Sequence, residues 1–168
     1  MSNFTTDPTV NLAVVLQDVN EDYPPVVASF SVSAQGEFVS TNTIADMPEL
    51  PSYWWDSPNT AEISLDYSGK YLAVAVGAGV QLYHFAGAAP VTPFGEVVGN
   101  SGYITGLRWD SAGHLFAQNG ATGQMLVYEV TAAGLKELAG SGVVIPMAGQ
   151  IYPYSYYTQP PDYIVRSR

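Results

Sequence analysis

The stretch Ile63-Ser64-Leu65-Asp66-Tyr67-Ser68-Gly69-Lys70-Tyr71-Leu72-Ala73 returns 44 residues later as Leu107-Arg108-Trp109-Asp110-Ser111-Ala112-Gly113-His114-Leu115-Phe116-Ala117. Apolar positions, the Asp and the Gly all coincide. The match continues with one extra residue, Val80-Gln81-Leu82-Tyr83-His84-Phe85 falling against Met125-Leu126-Val127-Tyr128-Glu129-Val130. A weaker third copy, Ala28-Ser29-Phe30-Ser31-Val32, aligns Phe30 with Tyr83 and Tyr128. Self-similarity at this period marks a repeat architecture in which each copy is one supersecondary unit.

Worked outward, each copy reads as four strands, a to d. Strand a (61–66 or 104–110) ends in a turn, Asp-Tyr-Ser-Gly or Asp-Ser-Ala-Gly, whose Asp and Gly suit a type I turn. Strand b (71–76 or 115–119) leads through a Gly-rich hairpin to strand c (80–85 or 125–130), and strand d follows (91–98 or 135–138). Four antiparallel strands in about 40–45 residues is the period of a β-propeller blade. The N-terminal part fits a blade without strand a: 11–16 as b, 26–32 as c and 37–42 as d. Residues 162–166 read as a lone strand a. The expected fold is all-β, with strand order bcd–abcd–abcd–a in one propeller unit over 1–168. Its blades are 1–52, 53–100 and 101–148, and 149–168 forms a tail with the closing strand.

Three blades cannot close a ring, and an unpaired strand edge is a liability that proteins cover. Two copies exchanging the terminal strand would give a six-bladed homodimer, with Leu12, Val14, Tyr163, Ile164 and Val165 at the interface. The alternative is a chain that is part of a longer propeller, without independent function.

The blade pattern resembles the YVTN/lactonase-type propeller family, which includes 6-phosphogluconolactonase-like proteins. The resemblance rests on Asp66 to Leu72 with Leu82-Tyr83, on Asp110 to Phe116 with Val127-Tyr128, and on the tail Tyr163-Ile164-Val165-Arg166. It implies blade architecture and, as one reading of function, hydrolysis of sugar lactones by the assembled ring. No catalytic residue of that family falls on a matching position here, and the chain has about half the usual length.

Composition agrees with an all-β chain. Hydrophobic residues make up 47% and charged residues 12%, which argues against disorder, and 16 Gly with 12 Pro keep the strands short. Fifteen acids against five bases leave a net charge of −10, which disfavours nucleic acid and anionic membrane surfaces as partners. Apolar runs such as Tyr71 to Val76 are too short to span a bilayer, and Met1 to Pro8 lacks the features of a signal peptide, so a soluble protein is expected, in no particular compartment. No Cys is present.

No cofactor and no metal site is expected. The two His lie on different blades without ligand-spaced neighbours, and Asp18 to Asp22 begins like a calcium loop but has Tyr23 where Gly is required. Nucleophile elbows, phosphate loops and dinucleotide fingerprints do not occur. Two long d–a connections carry aromatics instead: Tyr53, Trp54 and Trp55 in one, Tyr154 and Tyr156 in the other. With Tyr23 these residues are the candidate binding set, since Tyr and Trp combine apolar faces with a polar handle. The expected function is a non-catalytic binding or assembly module that presents aromatic and acidic loops to a small-molecule or protein ligand.

Overall fold

The computed structural model describes residues 3–6, 11–16, 25–43, 45–50, 62–77, 79–99, 104–120 and 122–144. All regular structure among them is β, in three antiparallel sheets whose first four strands follow one another in chain order. The first sheet contains β1 (Asn3–Thr6), β2 (Asn11–Leu16), β3 (Val26–Val32) and β4 (Phe38–Val39). The second contains β5 (Ile63–Leu65), β6 (Tyr71–Val76), β7 (Gly79–Ala86) and β8 (Ala89–Pro93). The third contains β9 (Ile104–Trp109), β10 (His114–Asn119), β11 (Gln124–Thr131), β12 (Gly134–Glu137) and β13 (Val143–Val144).

Two expectations change. The first sheet is complete, because β1 pairs with β2 from Asn3↔Val15 to Thr6↔Leu12. Asn3-Phe4-Thr5-Thr6 is short and holds one large apolar side chain, so alternation alone does not reveal it. Strand β2, which carries Leu12 and Val14, therefore has β1 on one side and β3 on the other. The open edge that strand exchange was expected to fill is occupied. Residues 162–166, the expected closing strand, lie outside the described residues, as do Tyr163, Ile164 and Val165.

The second change concerns register. Leu72 pairs with Tyr83 and Leu115 with Tyr128, so Leu72 corresponds to Leu115 and Tyr71 to His114. The offset of 44 therefore holds for strand a and its turn but not for strand b, because Lys70 adds a residue to the second sheet's turn. A slip of one residue would turn every side chain to the opposite face. In the observed register Leu72, Val74 and Val76 face the first sheet, as Leu115 and Ala117 face the second.

Two cores follow. Between the first and second sheets lie Val27 and Leu50 with Ile63, Leu65, Leu72, Val74, Tyr83, Phe85 and Val91. Between the second and third lie Ala73, Val80 and Leu82 with Leu107, Trp109, Leu115, Ala117, Tyr128 and Leu135. The middle sheet is covered on both faces, which explains its nearly continuous apolar strands. The first strands also adjoin in series, β1 against β5 and β5 against β9.

The fourth strand of every sheet is broken in the same manner. It leaves the ladder and returns to pair with the beginning of the third strand, at Val26↔Glu49, Val80↔Val98 and Met125↔Val143. In the second sheet the break contains Gly95, at φ +74°, where an added Cβ would lie 2.4 Å from the Ala133 carbonyl oxygen. The turn at Thr131–Gly134 packs there, and only a residue without a side chain permits so close an approach.

Candidate functional site

The repeated Asp residues build two adjacent turns. In the first, the Gly69 N–H donates to the Asp66 carbonyl (3.1 Å), and Gly69 adopts φ +68°. The Asp66 side chain, 7% exposed, accepts from the backbone N–H groups of Ser68 (3.1 Å), Lys70 (2.8 Å) and Tyr71 (2.8 Å). It also accepts a short bond from the Ser68 hydroxyl. In the second turn Gly113 N–H donates to the Asp110 carbonyl (3.3 Å), and the Asp110 carboxylate accepts from the N–H groups of Ala112 (2.9 Å) and His114 (2.8 Å). The His114 Nδ1 lies 2.8 Å from Asp110 Oδ2, with these side chains 40% and 35% exposed. Burial pushes the Asp110 carboxyl up, but the hydrogen bonds from the His114 ring, the His114 N–H and the Ala112 N–H, with the His114 charge, outweigh it. Asp110 is thus held below the ordinary carboxylate range. The stability this gives is present above the unfolded-state value and lost as pH falls through the folded one.

Between these turns, at one end of the second and third sheets, is a cleft of about 540 Å³. Both turns line it, together with Tyr71, Trp109, Glu129 and Val130. Trp109 anchors its floor: the buried indole N–H donates to the Ser64 carbonyl (3.0 Å) and so ties the third sheet to the second. Tyr71 is held by a stack, its ring 6.0 Å from Phe94, while Phe94 lies 4.2 Å from the His84 ring. Glu129 accepts from Lys136 (3.0 Å). Tyr67, 47% exposed, presents its ring at the rim.

No family model, curated protein or solved structure matches this chain.

What the cleft can do follows from its own groups. Asp66 and Asp110 spend their oxygens on their own turns, Glu129 is paired with Lys136, and the Ser68 hydroxyl donates a hydrogen bond to Asp66. The imidazole in the lining is held by Asp110. The described lining therefore offers aromatic surface and negative charge, with the Ser68 hydroxyl bonded to Asp66 and the His114 ring to Asp110. Among the described residues no group of three His, Cys, Asp or Glu side chains is placed to hold a metal.

The expected binding residues Tyr23, Tyr53, Trp54, Trp55, Tyr154 and Tyr156 lie outside the described residues. Tyr67, Trp109 and Glu129, which the structure brings together, were not singled out from the sequence. The available signal was an aromatic residue beside each repeated Asp, Tyr67 after the first and Trp109 before the second.

Proposed function

We propose that the three sheets are consecutive blades of a β-propeller of the YVTN/lactonase type, and that the chain is a non-catalytic recognition module. The cleft between its second and third blades takes a ligand that combines a flat apolar face with positive charge, such as an Arg- or Lys-bearing peptide. The blade reading is supported by three consecutive four-strand meanders with their first strands adjoining and their fourth strands broken alike. One observation carries the functional reading: the repeated carboxylates, which would be the natural acid–base candidates, are consumed by their own turns. What they leave to a ligand is charge. Aromatic faces beside fixed anions favour a cation, worth about 0.5–1 kcal/mol at an exposed ring and more when desolvated. The net charge of −10 draws such ligands in.

The test is a peptide array of graded charge, probed with the wild-type protein and with Tyr67→Ala. Retention of Arg- and Lys-bearing peptides, lost in Tyr67→Ala, is the expected result. Parallel arrays with Trp54→Ala and Trp55→Ala weigh the loop aromatics against the cleft. Turnover of a sugar lactone above the buffer rate, abolished by His114→Ala, would overturn the non-catalytic reading.

A further inference from the structure

At the two junctions inside the chain, equivalent positions are buried in the same way. Val91 of the second sheet is 2% exposed against the first sheet, and Leu135 of the third is 8% exposed against the second. Phe38 holds the same place in the first sheet, pairing with Val32 as Leu135 pairs with Val130, yet it is 66% exposed. Its ring contacts Phe30 edge-on at 6.1 Å on the same face.

Among the described residues, the opposite end of the stack is open in a complementary way. Val80 and Leu82 of the second sheet are 0% exposed beneath the third, whereas Met125 and Val127, their equals in the third sheet, are only half-buried. Val98 packs into the second core, but Val143, returning to the ladder at the matching point, is 65% exposed. Gly95 is closed in by the next sheet's turn, while Gly140, at the same place in the third sheet's break with φ +87°, has nothing within 4 Å of an added Cβ.

We infer that a second copy of this chain covers both faces: the third sheet of each copy stacks on the first sheet of the other, closing six sheets head to tail. The inference rests on the blade reading proposed above. It continues a packing rule already used twice within the chain, in which the face equivalent to Val91 and Leu135 receives the face equivalent to Val80 and Leu82. Within one copy the two bare faces belong to opposite ends of a three-sheet series, so an exchange between copies joins them. The contact is face to face and requires no exchanged strand. Heterologous contacts of this kind close into rings when the rotation permits, and six blades lie within the range propellers use.

Sedimentation velocity of the full chain tests this. The expected mass is twice the 18.0 kDa of one chain. Phe38→Glu and Val143→Glu each place a charge in the contact and should weaken the dimer by about a hundredfold or more, with unchanged far-UV circular dichroism because both sites are exposed in the single chain. Mixing the two variants restores one unaltered junction and should recover dimer. A monomeric wild type overturns the inference, as does a dimer sensitive to Phe38→Glu alone with no recovery on mixing, which would mean first sheet on first sheet. Tyr67 and Trp109 lie outside both faces, so peptide binding by a monomer would leave the recognition reading standing while this one fell.

Discussion

Replacing Asp66 with Ala removes the acceptor for three backbone N–H groups and one hydroxyl in a position only 7% exposed. Hydrogen bonds to a charged acceptor contribute about 1.5–3 kcal/mol each, and a buried donor left unpaired incurs its desolvation cost. The bonds share one carboxylate and are not additive, so the expected loss is about 3–4 kcal/mol rather than their sum. Asp110→Ala removes a comparable set, but that carboxylate is 35% exposed and water replaces much of what is lost; about 1–2 kcal/mol is expected. Urea unfolding followed by tryptophan fluorescence, at one protein concentration for all variants, measures both. With a slope of about 2 kcal/mol per molar, the midpoint falls by about 1.5–2 M for Asp66→Ala and by about 0.5–1 M for Asp110→Ala. Asp66→Asn should fall between wild type and Asp66→Ala, since its amide oxygen still accepts from Lys70 and Tyr71. A shift below about 0.3 M for Asp66→Ala, or a larger shift for Asp110→Ala, would refute the reasoning. In the first case the Asp66 carboxylate would be free for chemistry; in the second the less buried turn would be the stronger one.

Burial raises the Tyr83 hydroxyl to about 12, and burial with the nearby Glu137 charge raises Tyr128 to about 12. Their stabilising effect is full below the unfolded value near 10 and is lost as pH rises through the folded one, so stability should drop by about 2–3 kcal/mol per tyrosine between these limits; ultraviolet titration of phenolate beside unfolding curves checks it. Tyr128→Phe should stabilise the protein by about 1 kcal/mol, because this buried hydroxyl has no partner among the described residues; a lower melting temperature would contradict that. Gly36→Ala, at φ +83° with nothing within 4 Å of the new Cβ, should cost about 1–2 kcal/mol for the backbone alone. Gly95→Ala adds a clash with the Ala133 carbonyl and should cost about 1–3 kcal/mol more; equal losses in denaturant would remove the close contact from consideration.

Much of the strand plan was legible because the internal repeat, short apolar runs and turn chemistry agree with it: 11–16, 26–32 and 71–76 match β2, β3 and β6 to the residue. Legibility failed where a feature depends on a distant partner. Strand β1 becomes a strand by pairing with β2, and four residues with a single Phe do not announce it. The extra residue Lys70 was hidden because matching Tyr71 to Leu115 keeps an apolar pattern intact, and only the ladder to Tyr83 and Tyr128 exposes the slip. The cleft was illegible for the same reason. Each Asp turn reads locally as a turn, and nothing in either segment says that the two lie side by side across a sheet junction with Trp109 bonded to Ser64.

The interrupted fourth strands set where this molecule can change. The outermost segments hold two residues in β4, five in β8, four in β12 and two in β13. Such fragments give an incoming ribbon too little continuous backbone to nucleate fibrillar growth, which draws on uninterrupted runs of six or seven residues. The steps between fragments already differ in length, 40–48, 94–97 and 138–142. The rim thus varies in length from sheet to sheet while the inner strands keep the same antiparallel pairing.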